Sequence, residues 1–352
     1  MASNNSADVL NKSLGSVAGV VSGGDGKAAD TSLLIATHLL VIVIIGGIGT
    51  VAVSLFGVLS NVVNCLVFYH QGLRDRMNLC LFCLALADFC FLMCSAMYGI
   101  VIVFIVFRLR GFGEEENMKF VNYGVGIVHA FRTTSGLYVM VIAVERCVCV
   151  AFPFRASSLI RTRTMAMFLS AIALICQLGF ICQPLKFNVV ETKIGGVRQW
   201  RFAPSPLWLN NRVVIDIIVH VIFNISVPLI TFFIVSLATF ITVIKLASAM
   251  DWRRKTSSTS TDQNERQVAL TKTLVLASCV YIVSTTPTVL TKVVRVFVEE
   301  FSAFGVYAHL DGICNVIADI FSAINSSVYI FIYYKRSARY RQKLRAVHIC
   351  RR

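Results

Sequence analysis

Three charged side chains lie inside long apolar stretches of this sequence, and they are the residues whose chemistry most needs explaining. They are Asp88, Arg132 and Asp319. A charge in apolar surroundings is costly, so by default it indicates a functional site. Arg132 can offer a planar fork of N–H donors to a carboxylate, and Asp319 can neutralise it. The two charges therefore predict either a structural salt bridge or a site for an acidic ligand.

The elements that position these charges must be membrane helices. Of the 352 residues 57% are hydrophobic and 14% are charged, with a mean hydropathy of +0.74, whereas an ordinary soluble protein has roughly 25% charged residues. Residues 39–67 contain no charge, and a span needs only about 20 such residues. The pattern predicts an all-α membrane protein, a seven-transmembrane helix bundle with a short C-terminal amphipathic helix. The predicted spans are residues 40–69, 77–106, 118–151, 164–185, 212–246, 268–296 and 308–334.

The net charge of +15 is distributed unevenly. Lys and Arg concentrate in the loops around Arg74, Arg155 and Arg253 and in the C-terminal tail, which all fall on one side of the predicted bundle. The positive-inside rule then places the C-terminus in the cytoplasm and the N-terminus outside a plasma-membrane protein. The basic excess indicates topology and attraction to membrane lipids, and no nucleic acid is expected as a partner.

Short motifs follow one another along the spans in a fixed order. They are Gly57-Val58-Leu59-Ser60-Asn61, Leu84-Ala85-Leu86-Ala87-Asp88, Glu145-Arg146-Cys147 with Pro153, Pro228, Pro287, and Asn325 with Tyr333. In this order and spacing the chain resembles the rhodopsin-like (class A) G-protein-coupled receptor family over about residues 40–345. It is similar to divergent invertebrate, especially molluscan, chemosensory or orphan peptide-type receptors.

Departures from the family pattern narrow the ligand that the resemblance implies. Amine receptors of the family carry an Asp where this chain has Val128, and light receptors carry a Lys where it has Ala323. Neither a biogenic amine nor retinal is therefore expected. Val121 replaces the Cys that usually forms a disulfide with the second extracellular loop, and Thr285 replaces the usual Trp before Pro287.

The resemblance also implies two internal sites. Asp88, Asn61, Ser135 and Asn325 are expected to form a polar network that can hold a sodium ion, because a hard cation prefers oxygen ligands. No other cofactor is expected.

G-protein coupling and activation are expected from a second set of residues near the cytoplasmic side. In the family, the arginine corresponding to Arg146 is held by acidic neighbours in the inactive state and then meets the G protein. Glu145, Pro153, Pro287 and Tyr333 complete this set.

Ligand binding is predicted one level higher in the bundle. Arg132 lies 14 residues before Arg146, roughly 21 Å away along a helix, and Asp319 is likewise 14 residues before Tyr333. The two charges thus lie at a similar depth, and His129 and His220 are predicted to face the same cavity.

Three further cations lie near the extracellular side. Lys292, Arg295 and Arg201 either attract an acidic or peptide ligand or anchor the helices at the membrane surface.

The predicted function is that of a receptor, not an enzyme. It binds an extracellular ligand, such as a chemosensory small molecule, and activates a heterotrimeric G protein. A neuropeptide receptor of the same family is the main alternative, and a seven-span transporter is less favoured because no inverted repeat is visible.

Three segments follow from this organisation. Residues 1–38 are expected to be a disordered extracellular tail with glycosylation acceptors at Asn4 and Asn11. Residues 39–334 form the receptor domain, and residues 335–352 form a basic cytoplasmic amphipathic helix and tail in which Cys350 is a candidate for lipidation.

Overall fold

The computed structural model of the protein describes residues 37, 40–106, 113–152, 161–194, 197–256, 262–298, 300–301 and 305–349. Asn4 and Asn11 lie outside the described residues, as do Pro153 and Cys350. The predictions of glycosylation, lipidation and a G-protein contact at Pro153 therefore stay predictions, as does that of a disordered tail.

Seven helices within the described residues are long and apolar enough to cross a membrane, which confirms the predicted fold class. They are α1 (Ile42–Gln71), α2 (Arg76–Val106), α3 (Glu114–Ala151), α4 (Thr162–Phe180), α5 (Arg212–Asp251), α6 (Asp262–Phe297) and α7 (Ala308–Arg336). A short helix α8 (Ala338–Ile349) follows.

Apolar side chains cover both the inside and the outside of the bundle. Val67, Leu92 and Val235 are fully buried, whereas Leu59 is 69% exposed and Phe233 is 64% exposed. A soluble helix would place polar residues on its outer face, so a helix that is apolar all round belongs in hydrocarbon. The exposed apolar faces therefore mark the surface that meets lipid.

The helices α1, α2 and α7 pack closely against one another around Gly57. A Cβ atom at this position would overlap the hydroxyl of Ser327 on α7 and come within 2.7 Å of Leu92 Cδ1 on α2. Small residues at such points let membrane helices approach, where packing rather than hydrophobic burial drives association.

We expect Gly57→Ala to lower the thermal stability of the purified protein. Overpacking of a tight site costs about 1–3 kcal/mol, and both neighbours of Gly57 sit on other helices. Gly124→Ala is the matched control, because a Cβ there finds no atom nearer than 3.6 Å. Melting temperatures measured in detergent should fall for Gly57→Ala alone. Equal melting temperatures for both variants would contradict the close approach of the three helices.

The N-terminal half of α5 contains a π-helical segment, Ile217–Ser226, which ends two residues before Pro228. Side-chain amide and hydroxyl groups reach carbonyls five residues back, from Asn224 Nδ2 to Val219 O at 2.8 Å and from Ser226 Oγ to Val221 O at 2.8 Å. A π-helical turn is wider than an α-helical turn and contains about one more residue, and such turns occur frequently at functional sites. Side chains above Asn224 are therefore rotated relative to an α-helix.

Helix α6 contains Pro287 in its interior. Proline removes one backbone donor and disturbs the preceding turn. The hydroxyls of Thr285 and Thr286 donate to the carbonyls of Tyr281 and Ile282 in that turn, at 2.7 and 2.8 Å. The two hydroxyls thus give carbonyls of that turn an additional donor, whereas Pro287 leaves the carbonyl of Val283 without its helical donor.

The connection between α4 and α5 forms a β-hairpin that the sequence analysis did not predict. Strands β1 (Phe187–Ile194) and β2 (Val197–Pro204) pair antiparallel, with Phe187 opposite Pro204 and Ile194 opposite Val197. Asn122 on α3 holds the base of the hairpin, donating to the carbonyl of Phe187 at 3.0 Å. Every cysteine that the structure describes is free, so these polar contacts position the hairpin where the family uses a disulfide.

Helix α8 is attached to the bundle through a buried tyrosine. The hydroxyl of Tyr340 donates to Asn64 Oδ1 on α1 at 2.6 Å, and its ring packs against Phe68 and Tyr333. Burial raises the pKa of the Tyr340 phenol above its ordinary value, so it stays a neutral donor. One buried side chain therefore anchors the short helix predicted from sequence to the core of the bundle.

Candidate functional site

A cavity of about 670 Å³, open solvent at its mouth included, lies between α3, α5, α6 and α7. Arg132, His129 and Lys292 supply its basic groups, and Phe223 and Tyr281 supply aromatic walls. Hydroxyl and amide side chains line the rest, including Ser135, Thr231, Thr285, Thr288, Ser322, Asn325 and Ser326. Polar groups that converge beside aromatic walls are a feature of small-molecule sites.

Arg132 and Asp319 form the ion pair that their matching depths predict. Arg132 Nη1 contacts Asp319 Oδ1, and Arg132 Nη2 lies 2.5 Å from His129 Nδ1. The His129 ring stacks on Phe180 with 5.9 Å between centroids. Arg132 and His129 line the cavity, whereas Asp319 is 52% exposed and stands outside its wall. The Asp319 carboxylate therefore orients the Arg132 guanidinium from outside the cavity.

The prediction that His220 faces this cavity is wrong. His220 is exposed, and the cavity wall contains Phe223 and Asn224 instead. In an α-helix His220 would lie one turn from Asn224 on the same face. In the π-helical segment the position is taken by Val219, which is fully buried, and His220 is turned outward.

A fully buried carboxylate lies below the cavity. Asp88 Oδ1 accepts hydrogen bonds from Ser135 Oγ at 2.5 Å and from Ser326 Oγ at 2.7 Å. Asn61 joins at one remove, because its Nδ2 donates to the carbonyl of Ser326 at 2.7 Å. The carboxyl group of Asp88 on α2 therefore connects directly to α3 and α7, and Asn61 adds α1 to the network.

Asn325 is not a direct partner of Asp88, and its predicted place in the network is taken by Ser326. The Oδ1 of Asn325 instead accepts a hydrogen bond from Tyr329 at 3.1 Å. Tyr329 stands where the family has the Asn of its Asn-Pro motif, so a hydroxyl one turn away now engages the Asn325 amide.

The residues around Asp88 fit a hard monovalent cation. Asp88 Oδ2 is buried and has no hydrogen-bond partner, and the hydroxyls of Ser135 and Ser326 add neutral oxygens beside it. Such a donor set suits a hard cation.

A second charged cluster lies near the C-terminal end of α3. Glu145 is 4% exposed and contacts Arg146, whose Nε lies 2.5 Å from Glu145 Oε2. Arg76 at the start of α2 approaches the other oxygen at 3.2 Å. One buried carboxylate therefore holds two arginines from different helices.

Sequence reasoning missed three of these contacts. Ser326 and Arg76 follow recognisable motifs by one or two residues, but only the packing shows which atom each one meets. Arg295 was read together with Lys292, yet Asp311 binds Arg295 bidentately, with both carboxylate oxygens 2.6 Å from Nη2. Asp311, directly in the first turn of α7, was the signal that could have separated the two cations.

The fold and the cavity define a multi-pass membrane protein of the seven-helix receptor type. Residues 50–351 match the family described as serpentine type 7TM GPCR chemoreceptor Srw. The chain belongs to this family of chemosensory G-protein-coupled receptors. No curated protein matches the sequence.

Proposed function

We propose that this chemoreceptor binds an extracellular small molecule in the cavity and activates a heterotrimeric G protein at the opposite end of the bundle. The observation that carries the proposal is the joint presence of a polar cavity around Arg132 and a restrained Arg146 on the same helix, α3. The absent amine and retinal anchors at Val128 and Ala323 direct the proposal towards another chemical class.

The proposed orientation follows the distribution of charge. The basic loops and tail face the cytoplasm of a plasma-membrane protein, and the cavity opens towards the outside. The finer likeness to rhodopsin-like receptors, and to molluscan ones among them, belongs to this proposal as well.

Signalling then works as a ligand-biased switch between two helix arrangements. A ligand shifts the balance only by its different affinity for the two states. The turn before Pro287 on α6 is the proposed hinge, because the threonine hydroxyls there can hold backbone carbonyls while the helix bends. Thr285 stands where the family usually has a Trp. We therefore propose that a bound ligand acts on α6 through the hydroxyl groups of Thr285 and Thr288, which line the cavity.

A sodium ion beside Asp88 is proposed as a second regulator of this balance. Asp88, Ser135 and Ser326 would hold it, with Asn61 fixing Ser326 from behind. Bound there, the ion would supply a positive charge to the otherwise unpartnered Asp88 Oδ2.

The test is nucleotide exchange on purified G proteins. The full chain in lipid nanodiscs is mixed with each class of heterotrimer, with and without a panel of odorant-like acids, alcohols and aldehydes. At least one class should exchange nucleotide faster than with empty nanodiscs. If none does while the protein remains folded, the G-protein proposal is wrong, and uptake of labelled compounds into proteoliposomes would support a transporter instead.

A further inference from the structure

A buried ammonium group lines the cavity with no protein partner. Lys292 on α6 is 7% exposed, and no described residue accepts a hydrogen bond from its ammonium group or forms an ion pair with it. A lysine in this position is costly unless something compensates its charge.

The other charges around Lys292 are already compensated. Arg132 is paired with Asp319 and Arg295 with Asp311. Within the part of the chain that the structure describes, these four charged groups act on Lys292 electrostatically. Two cations and two anions cancel, so Lys292 leaves one uncompensated positive charge in this part of the bundle.

A second unpartnered group lies beside the first. The hydroxyl of Thr288, four residues before Lys292 on α6, is buried in the cavity wall and has no hydrogen-bond partner. Residues four apart lie on the same helix face. An ammonium and a free hydroxyl therefore point into the cavity from neighbouring turns.

We propose that the cavity binds a small organic acid whose single carboxylate is held by the Lys292 ammonium and the Thr288 hydroxyl. This inference rests on the proposed role of the cavity as the ligand site and specifies its ligand class. One uncompensated charge fits a monoanion, whereas a dianion would bring an excess negative charge into a buried site. A charge-assisted hydrogen bond is the strongest polar contact available to either residue.

The remaining wall selects the body of the acid. Phe223, Val227 and Tyr281 line the cavity next to the polar groups. An apolar chain or aromatic ring would bury its surface against them at about 25 cal/mol per Å². The inferred ligand is therefore a carboxylate with an apolar body.

The experiment measures thermal stability of the full-length protein in lipid nanodiscs with octanoate and phenylacetate. Their matched neutral probes are octanamide and phenylacetamide. A ligand that binds the folded state raises the melting temperature with concentration, so the acids should raise it by a few degrees and the amides should not. Lys292→Gln should abolish the shift, and Lys292→Arg should keep it.

Two further variants keep the test decisive. Lys272→Gln makes the same chemical change at an exposed position towards the other end of α6 and should leave the shift intact. Thr288→Val should weaken octanoate binding about tenfold, which gives a second measurement of the site if Lys292→Gln folds poorly.

Three results would overturn the inference: equal shifts with acids and amides, an unchanged shift in folded Lys292→Gln, or no shift with either acid. The assay contains no G protein. Its failure is therefore distinguishable from failure of the proposed signalling, which nucleotide exchange measures independently.

Discussion

A receptor carrying Glu145→Gln is expected to activate its G protein about tenfold more than wild type without ligand. Glu145 is the buried carboxylate that holds Arg146 and Arg76. Hydrogen bonds to charged groups contribute about 1.5–3 kcal/mol, and about 1.4 kcal/mol shifts an equilibrium tenfold. Glutamine keeps the size of the side chain, but it removes the charge and replaces one acceptor oxygen with an NH2 donor, so it cannot accept from both arginines. Basal nucleotide exchange at matched receptor concentration is the measurement.

The control for this prediction separates release of Arg146 from general loosening. The double variant Glu145→Gln/Arg146→Ala should show no exchange above empty nanodiscs, because the resemblance implies that Arg146 itself meets the G protein. Arg76→Gln leaves the Glu145–Arg146 contact in place and should raise basal exchange less. Basal exchange at the wild-type level in folded Glu145→Gln would show that this carboxylate does not restrain the inactive state.

Arg132→Leu and Asp319→Leu are each expected to reduce the amount of folded receptor at the cell surface, whereas the double variant should recover it. Removing one partner of a buried ion pair is strongly destabilising, but replacing both by apolar residues is often neutral. Asp319 is 52% exposed, so each single change should cost about 2 kcal/mol rather than the full buried value. Flow cytometry and melting temperature give the comparison.

Ligand binding in the same variants distinguishes a structural pair from a functional one. Arg132 lines the cavity and Asp319 does not. The inferred carboxylate site consists of Lys292 and Thr288, and the Arg132–Asp319 pair carries no net charge. The stable double variant should therefore bind octanoate within about threefold of wild type. A loss of about tenfold or more would show that the Arg132 guanidinium itself holds the carboxylate.

The spans were predictable because the signal for them is local. Twenty or so apolar residues in a row predict a membrane helix whatever it packs against, and all seven predicted spans match helices of the structure. The Arg132–Asp319 pair was predictable for a similar reason. Each residue lies 14 positions before a landmark near the same end of the bundle, Arg146 or Tyr333, so the two lie at equal depth on straight helices.

The rest depends on rotation and packing, which no local pattern carries. His220 and Val219 differ by one position, and only the π-helical hydrogen bonds decide which of them turns inward. The same holds for Asn325 and Ser326, where Tyr329 draws the amide away from Asp88. Arg76 reaches Glu145 only because α2 begins beside the end of α3. The hairpin strands contain eight residues each, and the sequence between them is Gly195-Gly196. A Gly-Gly pair between two strand-like runs is a hairpin signal, so this pairing could have been predicted and was missed.

The buried position of Tyr340 has a practical consequence for any shortened version of the chain. A truncation placed directly after the seventh span would remove the Tyr340 ring, which packs on Phe68, and the Tyr340 hydroxyl, which donates a hydrogen bond to Asn64 Oδ1. Asn64 also donates to Asn61 Oδ1 at 3.4 Å, and Asn61 in turn fixes Ser326 beside Asp88. Trimming the tail before residue 340 would thus reach the centre of the membrane, so tags and fusion partners belong beyond α8.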